Sequence, residues 1–116
     1  EERKINEKIS VAIVDEEVQN LFTEYTGGLE VLFNYYCKAA SSVETLPLTG
    51  FNKFVGQFNI CPILLSNDEA IKIFKYLTKH KESALELNFD EFKEAMIRIS
   101  FQAKSILEQE VEKSLD

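Results

Sequence analysis

The sequence predicts a single all-α domain, in which two helix–loop–helix units stand between an extra N-terminal helix and a long C-terminal helix. Its 116 residues are 45% hydrophobic and 11% aromatic, which is enough to bury a core without disulfides. Apolar residues recur at spacings of three and four along most of the chain, as they do in amphipathic helices. The expected segments are an N-terminal helical segment packed on the core, the pair of units, and a C-terminal helix extension: residues 1–28, 29–100 and 101–116.

The N-terminal segment should contain two helices rather than one. Ile9 and Val18 both belong to helical patterns, yet at about 100° per residue they lie on opposite sides of a straight helix. Asp15 is a good N-cap, so we expect a break beside it. Gly27 and Gly28 should end the second helix, because glycine readily adopts the left-handed conformation found past helix ends. A third helix would begin directly after them.

The first unit has a polar loop between two helices. The loop is expected at Ala40–Thr45, and Thr49 is a candidate cap of the exit helix. That helix should span Gly50–Asn59. Its apolar residues stand at i, i+3, i+4 and i+7: Phe51, Phe54, Val55 and Phe58.

The second unit follows an apolar linker, Ile60–Leu65, in which Pro62 prevents a continuous helix. Ser66 and Glu69 have the spacing of a capping box and should begin its entry helix. The apolar stripe of this helix consists of Ala70, Ile73, Phe74 and Leu77.

The last helix is expected to be long. Asn88 and Glu91 form another cap pattern, and no helix breaker follows them, so about 25 residues can be helical. Its apolar seam consists of Phe92, Met96, Ile99, Ala103 and Ile106. The stripe continues through Leu107, Val111 and Leu115. We expect it to cover the N-terminal segment, the domain's own groove or a partner.

The stretch from Leu87 to Met96 has the pattern with which calcium-binding loops end. A branched residue is followed by an acid, a Glu and a Phe that packs into the core. Further matching residues are Phe51-Asn52-Lys53-Phe54, Ile73-Phe74, Phe89, Glu94 and Ala95. In these residues the chain resembles an EF-hand pair, specifically the divergent pair of the tubulin polymerisation-promoting protein family. The resemblance implies a short two-stranded ribbon, in which either Leu46 or Leu48 pairs with Leu87.

Both loops lack most calcium ligands. Calcium needs oxygen atoms at loop positions 1, 3, 5 and 12. The second loop, ending at Glu91, offers His80, Glu82, Ala84 and Glu91 there. With Leu46 at position 8 the first loop offers Ala39, Ser41, Val43 and Gly50, and with Leu48 it offers Ser41, Val43, Thr45 and Asn52. We therefore expect no cofactor, with a calcium site only if Glu82 and Glu91 suffice.

Composition excludes several other functions. A net charge of -7 argues against nucleic acid or an anionic membrane as partner. Cys37 and Cys61 follow no metal or redox spacing and are expected to be buried free thiols in a reducing compartment. His80 stands among charged residues without a predicted catalytic partner, so we expect no enzyme. We find no signal peptide and no apolar run of membrane-spanning length, which favours the cytoplasm.

The sequence therefore predicts a non-enzymatic protein-interaction module. Because the chain begins with Glu, we expect it to be part of a longer protein, by resemblance one of the cytoskeleton: a microtubule, cilium or basal-body protein. The partner would be a cytoskeletal component or an amphipathic helix in an apolar groove. The residues predicted to line that groove are Phe51, Phe54, Phe74, Phe92 and Met96. We expect the module to be a monomer or a weak homodimer. Two alternatives stay open: a calcium sensor that uses Glu82 and Glu91, and a structural domain that self-assembles through its C-terminal helix.

Overall fold

The computed structural model describes residues 16–82 and 85–115, and this part of the chain is mostly helical. Its α-helices, numbered α1 to α4, are Glu16–Ala39, Leu48–Gln57, Asn67–Thr78 and Phe89–Leu115. The expected helix over Ile5–Ile13 and the break beside Asp15 lie outside the described residues. None of the helices in the described part is long and apolar enough to cross a membrane.

A two-stranded antiparallel sheet joins the two halves of the domain. Strand β1 is Leu46–Pro47, strand β2 is Glu86–Leu87, and Leu46 lies directly opposite Leu87. Both leucine side chains are fully buried. Of the two leucines that could have paired with Leu87, the structure therefore selects Leu46.

The expected helix end at Gly27 and Gly28 is wrong, because α1 runs through both glycines. Neither has a positive φ, and each costs a helix only about 1 kcal/mol relative to alanine, which surrounding helical residues can offset. The helix ends instead at Ala39, and Ser41, two residues further on, adopts the left-handed conformation with φ 57°. The backbone N–H of Ser42 donates to the Cys37 carbonyl at 2.8 Å, which completes a Schellman motif without glycine.

Helix α2 begins two residues earlier than expected, and Thr49 is not its cap. Pro47 is the N-cap residue, and no side chain caps the helix. The helix therefore starts directly after strand β1, so the ribbon rather than a capping side chain sets its first residue. After α2 comes a short turn over Ile60–Leu64, in which Cys61 is extended and the Cys61–Pro62 peptide bond is cis; the Leu65 N–H closes it by donating to the Ile60 carbonyl at 2.9 Å.

The two predicted helix caps at α3 and α4 are confirmed. At α3 the backbone N–H of Glu69 donates to Ser66 Oγ at 3.1 Å, and the Glu69 carboxylate accepts the backbone N–H of Ser66 at 2.9 Å. At α4 Asn88 and Glu91 make the same reciprocal pair, at 2.8 and 2.9 Å. Helix α4 has 27 residues, close to the length expected.

Phenylalanine rings from all four helices meet in the core. Phe92 of α4 lies 5.4 Å from the ring of Phe33 on α1 and 5.3 Å from Phe54 on α2. Phe51 on α2 lies 5.5 Å from Phe74 on α3. These ring contacts join the helices to one another, and Leu46 and Leu87 of the sheet belong to the same buried cluster.

Candidate functional site

The candidate site is the pair of loops that the sheet brings together. We define the loops by the twelve-residue register that places Leu46 and Leu87 at position 8: residues 39–50 are the first loop and residues 80–91 the second loop, of which residues 83 and 84 lie outside the described part. Leu46 and Leu87 form the buried centre of this pair. The polar groups of both loops surround it, and their partners determine what the loops can bind.

The Glu86 carboxylate reaches across from the second loop to the first. Its Oε1 accepts hydrogen bonds from the Thr45 hydroxyl and, at 3.1 Å, from Ser42 Oγ. The first loop therefore presents hydrogen-bond donors to a carboxylate, whereas a calcium loop presents oxygen acceptors to a metal. Glu86 also lies near the buried Cys37 thiol: burial, with a smaller contribution from Glu86, raises the pKa of Cys37 to about 11.

Lys81 occupies the interior of the second loop. Its Nζ lies 2.5 Å from the backbone oxygen of Glu86 and 2.6 Å from Glu91 Oε1. The Lys81 and Glu91 side chains are 27% and 22% exposed, so the pair is partly shielded from water. Glu91 Oε1 also accepts the backbone N–H of Asn88. One carboxylate oxygen thus serves both the helix cap and the lysine.

The two residues proposed as calcium ligands are not arranged as a metal site. Glu82 is exposed, and Glu91 is held by Lys81 and by the Asn88 cap. Within residues 16–82 and 85–115, no group of three or more His, Cys, Asp or Glu side chains is placed to hold a metal ion. The calcium prediction for these two residues stays a hypothesis that would need the Lys81 contact to break.

In the first loop, the residue at the last ligand position has no room for a side chain. With Leu46 at position 8, that residue is Gly50. A Cβ atom there would lie 2.7 Å from Leu46 Cδ1 and 2.9 Å from the Tyr36 backbone oxygen. The bidentate glutamate that closes a calcium loop cannot be built at this position without moving α1 away from α2.

The residues predicted to line a partner groove lie mainly in the closed core, and this corrects their expected placement. Phe51, Phe54, Phe74 and Phe92 are at most 3% exposed. Met96 is partly buried and packs against the same core. The helical spacing identified the inward faces of the helices, and the phenylalanines fill the space between those faces, so a partner helix could contact them only if the helices moved apart.

The remaining candidate residues are the two cysteines, His80 and the apolar residues near the end of α4. Cys37 and Cys61 are buried free thiols, as predicted. Burial also raises the pKa of Cys61, which lowers the fraction of reactive thiolate. His80 is exposed. On the stripe that extends the last helix, Val111 is 58% exposed, and the side chains of Leu107 and Leu115 lie outside the described part.

Sequence reasoning missed Lys81 and Glu86, the two residues that organise the loops. Lys81 is five residues from Glu86 and ten from Glu91. No helical or strand periodicity relates such spacings, so a pattern search does not join them. One feature of the sequence could have pointed to them. Glu91 stands where a calcium loop has its last ligand, but the loop has almost no other ligands, so the Glu91 carboxylate needed a different positively charged partner.

Comparisons of this chain with protein-family models, with curated proteins and with solved structures found no match. The geometry of the loops is therefore the basis for the proposals below.

Proposed function

We propose that the protein is a non-enzymatic, EF-hand-like interaction module whose loops no longer depend on calcium. One observation carries the proposal: two helix–loop–helix units share an antiparallel ribbon, while Glu86 accepts hydrogen bonds from the first loop and Lys81 pairs with Glu91. In an EF-hand pair the same ribbon connects two metal-binding loops. Here Glu86 and Lys81 make the connections within and between the loops.

The chemistry of the described residues supports binding rather than catalysis. Both thiols are buried and have raised pKa values, so neither is an activated nucleophile. His80 is exposed in the second loop. A module of this kind acts through its surface.

The partner we propose is a cytoskeletal component or an amphipathic helix presented by one. Support comes from the resemblance of residues 29–100 to the tubulin polymerisation-promoting protein family. On that resemblance we propose a protein of microtubules, cilia or basal bodies. Because the four phenylalanines are core residues, a partner would contact the outer faces of the helices.

The experiment is co-sedimentation of the protein with microtubules assembled from purified tubulin, in EGTA and in millimolar calcium. We expect the same bound fraction in both buffers, because Lys81 and Glu86 hold the loops without metal. Actin filaments serve as the control polymer. Failure to pellet with microtubules above the level of the protein alone would reject tubulin as the partner. Binding that requires calcium would instead support the sensor alternative.

A further inference from the structure

We propose that the ammonium group of Lys81 is the built-in cation of the second loop and takes the place that a calcium ion has in an EF-hand. The inference rests on the loop register of the proposed function, in which Glu91 is position 12. Its evidence is the position of one nitrogen atom relative to two oxygens of this loop.

The two oxygens that Lys81 contacts are those that a calcium loop directs at its metal. In the register ending at Glu91, Glu86 is position 7, where a calcium loop contributes its backbone carbonyl, and Glu91 contributes the carboxylate. Lys81 Nζ lies 2.5 Å from the first and 2.6 Å from the second. A single positive charge therefore bridges the same two groups that a metal would bridge.

The chain brings Lys81 to this place through the end of α3. The backbone N–H of Lys81 donates to the Thr78 carbonyl at 3.0 Å, which continues the helix by a turn. Thr78 is buried and its hydroxyl donates to the Phe74 carbonyl at 3.0 Å, so this turn is anchored to the core. The lysine side chain then reaches back into its own loop.

A tethered ammonium has consequences that a dissociable ion lacks. The ammonium group is present at every calcium concentration. The Glu86 carbonyl and the start of α4 therefore stay at the same distance with or without calcium. The ammonium group also repels a divalent cation from the same oxygens and fills their hydrogen-bonding capacity. Lys81 therefore holds the Glu86 carbonyl of strand β2 and the Glu91 carboxylate of α4 close to each other.

The test compares the full chain with Lys81→Met, which keeps the apolar stem and removes the charge. Lys79→Met is the matched control, because the Lys79 ammonium lies 3.9 Å from the centre of the Tyr76 ring and takes no part in the loop. We expect Lys81→Met to lower the melting temperature by several degrees more than Lys79→Met. The effect should shrink in a Glu91→Gln background, where glutamine retains the cap but not the charge.

A direct readout is the nitrogen-15 NMR signal of the lysine ammonium groups. Exchange with water should be slow for Lys81 and fast for Lys79, because Lys81 Nζ is hydrogen-bonded to two loop oxygens. Equal melting temperatures for the two methionine variants, or equally fast exchange at both ammonium groups, would overturn the inference.

Calcium separates failure of this inference from failure of the proposed function. We expect no change in the wild-type melting temperature, or in the amide signals of residues 80–91, between EDTA and millimolar calcium. A shift in those signals would reject both the built-in cation and the loss of calcium dependence. If calcium leaves the amide signals unchanged and Lys81→Met has the same melting temperature as Lys79→Met, only the built-in cation is rejected.

Discussion

At the scale of single residues, Glu69 shows how one side chain can connect two elements. Its carboxylate accepts the Ser66 backbone N–H at the start of α3 and the Gln102 amide of α4 at 3.0 Å. The hydrogen bond from the Ser66 backbone is the main reason that the pKa of Glu69 is lowered, although burial acts in the opposite direction. The ionised form is therefore the one that stabilises the fold.

This pKa shift predicts a pH dependence. A lowered pKa means that the stabilisation is fully present above the ordinary value of 4.5 and disappears as the pH falls through the lowered value. We expect Glu69→Gln to lose about 0.5–1 kcal/mol at neutral pH, since glutamine keeps the cap without the charge. Urea unfolding of the wild type and of Glu69→Gln, at pH values from neutral to acid, would measure this difference in the free energy of unfolding. The gap between wild type and variant should narrow below pH 4.5, whereas a constant gap would assign it to packing.

At the scale of elements, glycine has opposite roles in two helices. Gly27 and Gly28 of α1 are exposed, have no atoms near a would-be Cβ and have no positive φ. Gly50 of α2 is buried, and atoms of α1 and strand β1 leave no room for a Cβ atom at this position. The first two only weaken a continuous helix, while the third allows two elements to approach closely.

Gly28→Ala should therefore stabilise the protein by about 0.5–1 kcal/mol, because alanine favours the helix and nothing obstructs its methyl group. The midpoint of urea unfolding measures the change. Gly50→Ala is the contrast: overpacking against Leu46 and the Tyr36 backbone should cost about 1–3 kcal/mol. If Gly28→Ala destabilised the protein instead, α1 would have to be broken at the two glycines.

At the scale of the whole molecule, packing of the aromatic core determines which phenylalanine side chains are accessible at the surface. The rings of Phe54 and Phe92 lie 5.3 Å apart between α2 and α4 and exclude water from the middle of the domain. Phe58, which directly follows α2, packs its ring at an angle against that of Phe54, with the ring centres 5.2 Å apart, but is half exposed. The two phenylalanines are one helical turn apart and belong to different environments.

Phe54→Ala is expected to cost about 3–5 kcal/mol, because it empties the centre of a closed core. Phe58→Ala should cost about 1 kcal/mol, since it removes one half-exposed aromatic contact. Chemical denaturation of both variants gives the comparison. A stable Phe54→Ala protein that had lost only partner binding would restore the groove interpretation.

The parts of the fold that the sequence predicted correctly depend on neighbours within four residues. The caps at Ser66 and Asn88 are formed by side chains three positions from their partners, and the inward faces follow from helical periodicity. The groove itself stays a prediction, because the spacing of Phe54 shows which face it lies on but not whether the helix that packs over that face gives way to a partner.

The sequence by itself determined the helical class, the two capped helix starts and the lack of most calcium ligands in the loops, because each of these is a local property of residue type and spacing. Only the tertiary structure decided that Leu46 pairs with Leu87, that Gly50 has no room for a side chain, and that Lys81 is bound between Glu86 and Glu91. Those outcomes depend on the distance between groups far apart in the chain. Packing of the helices sets that distance, and no local pattern records it.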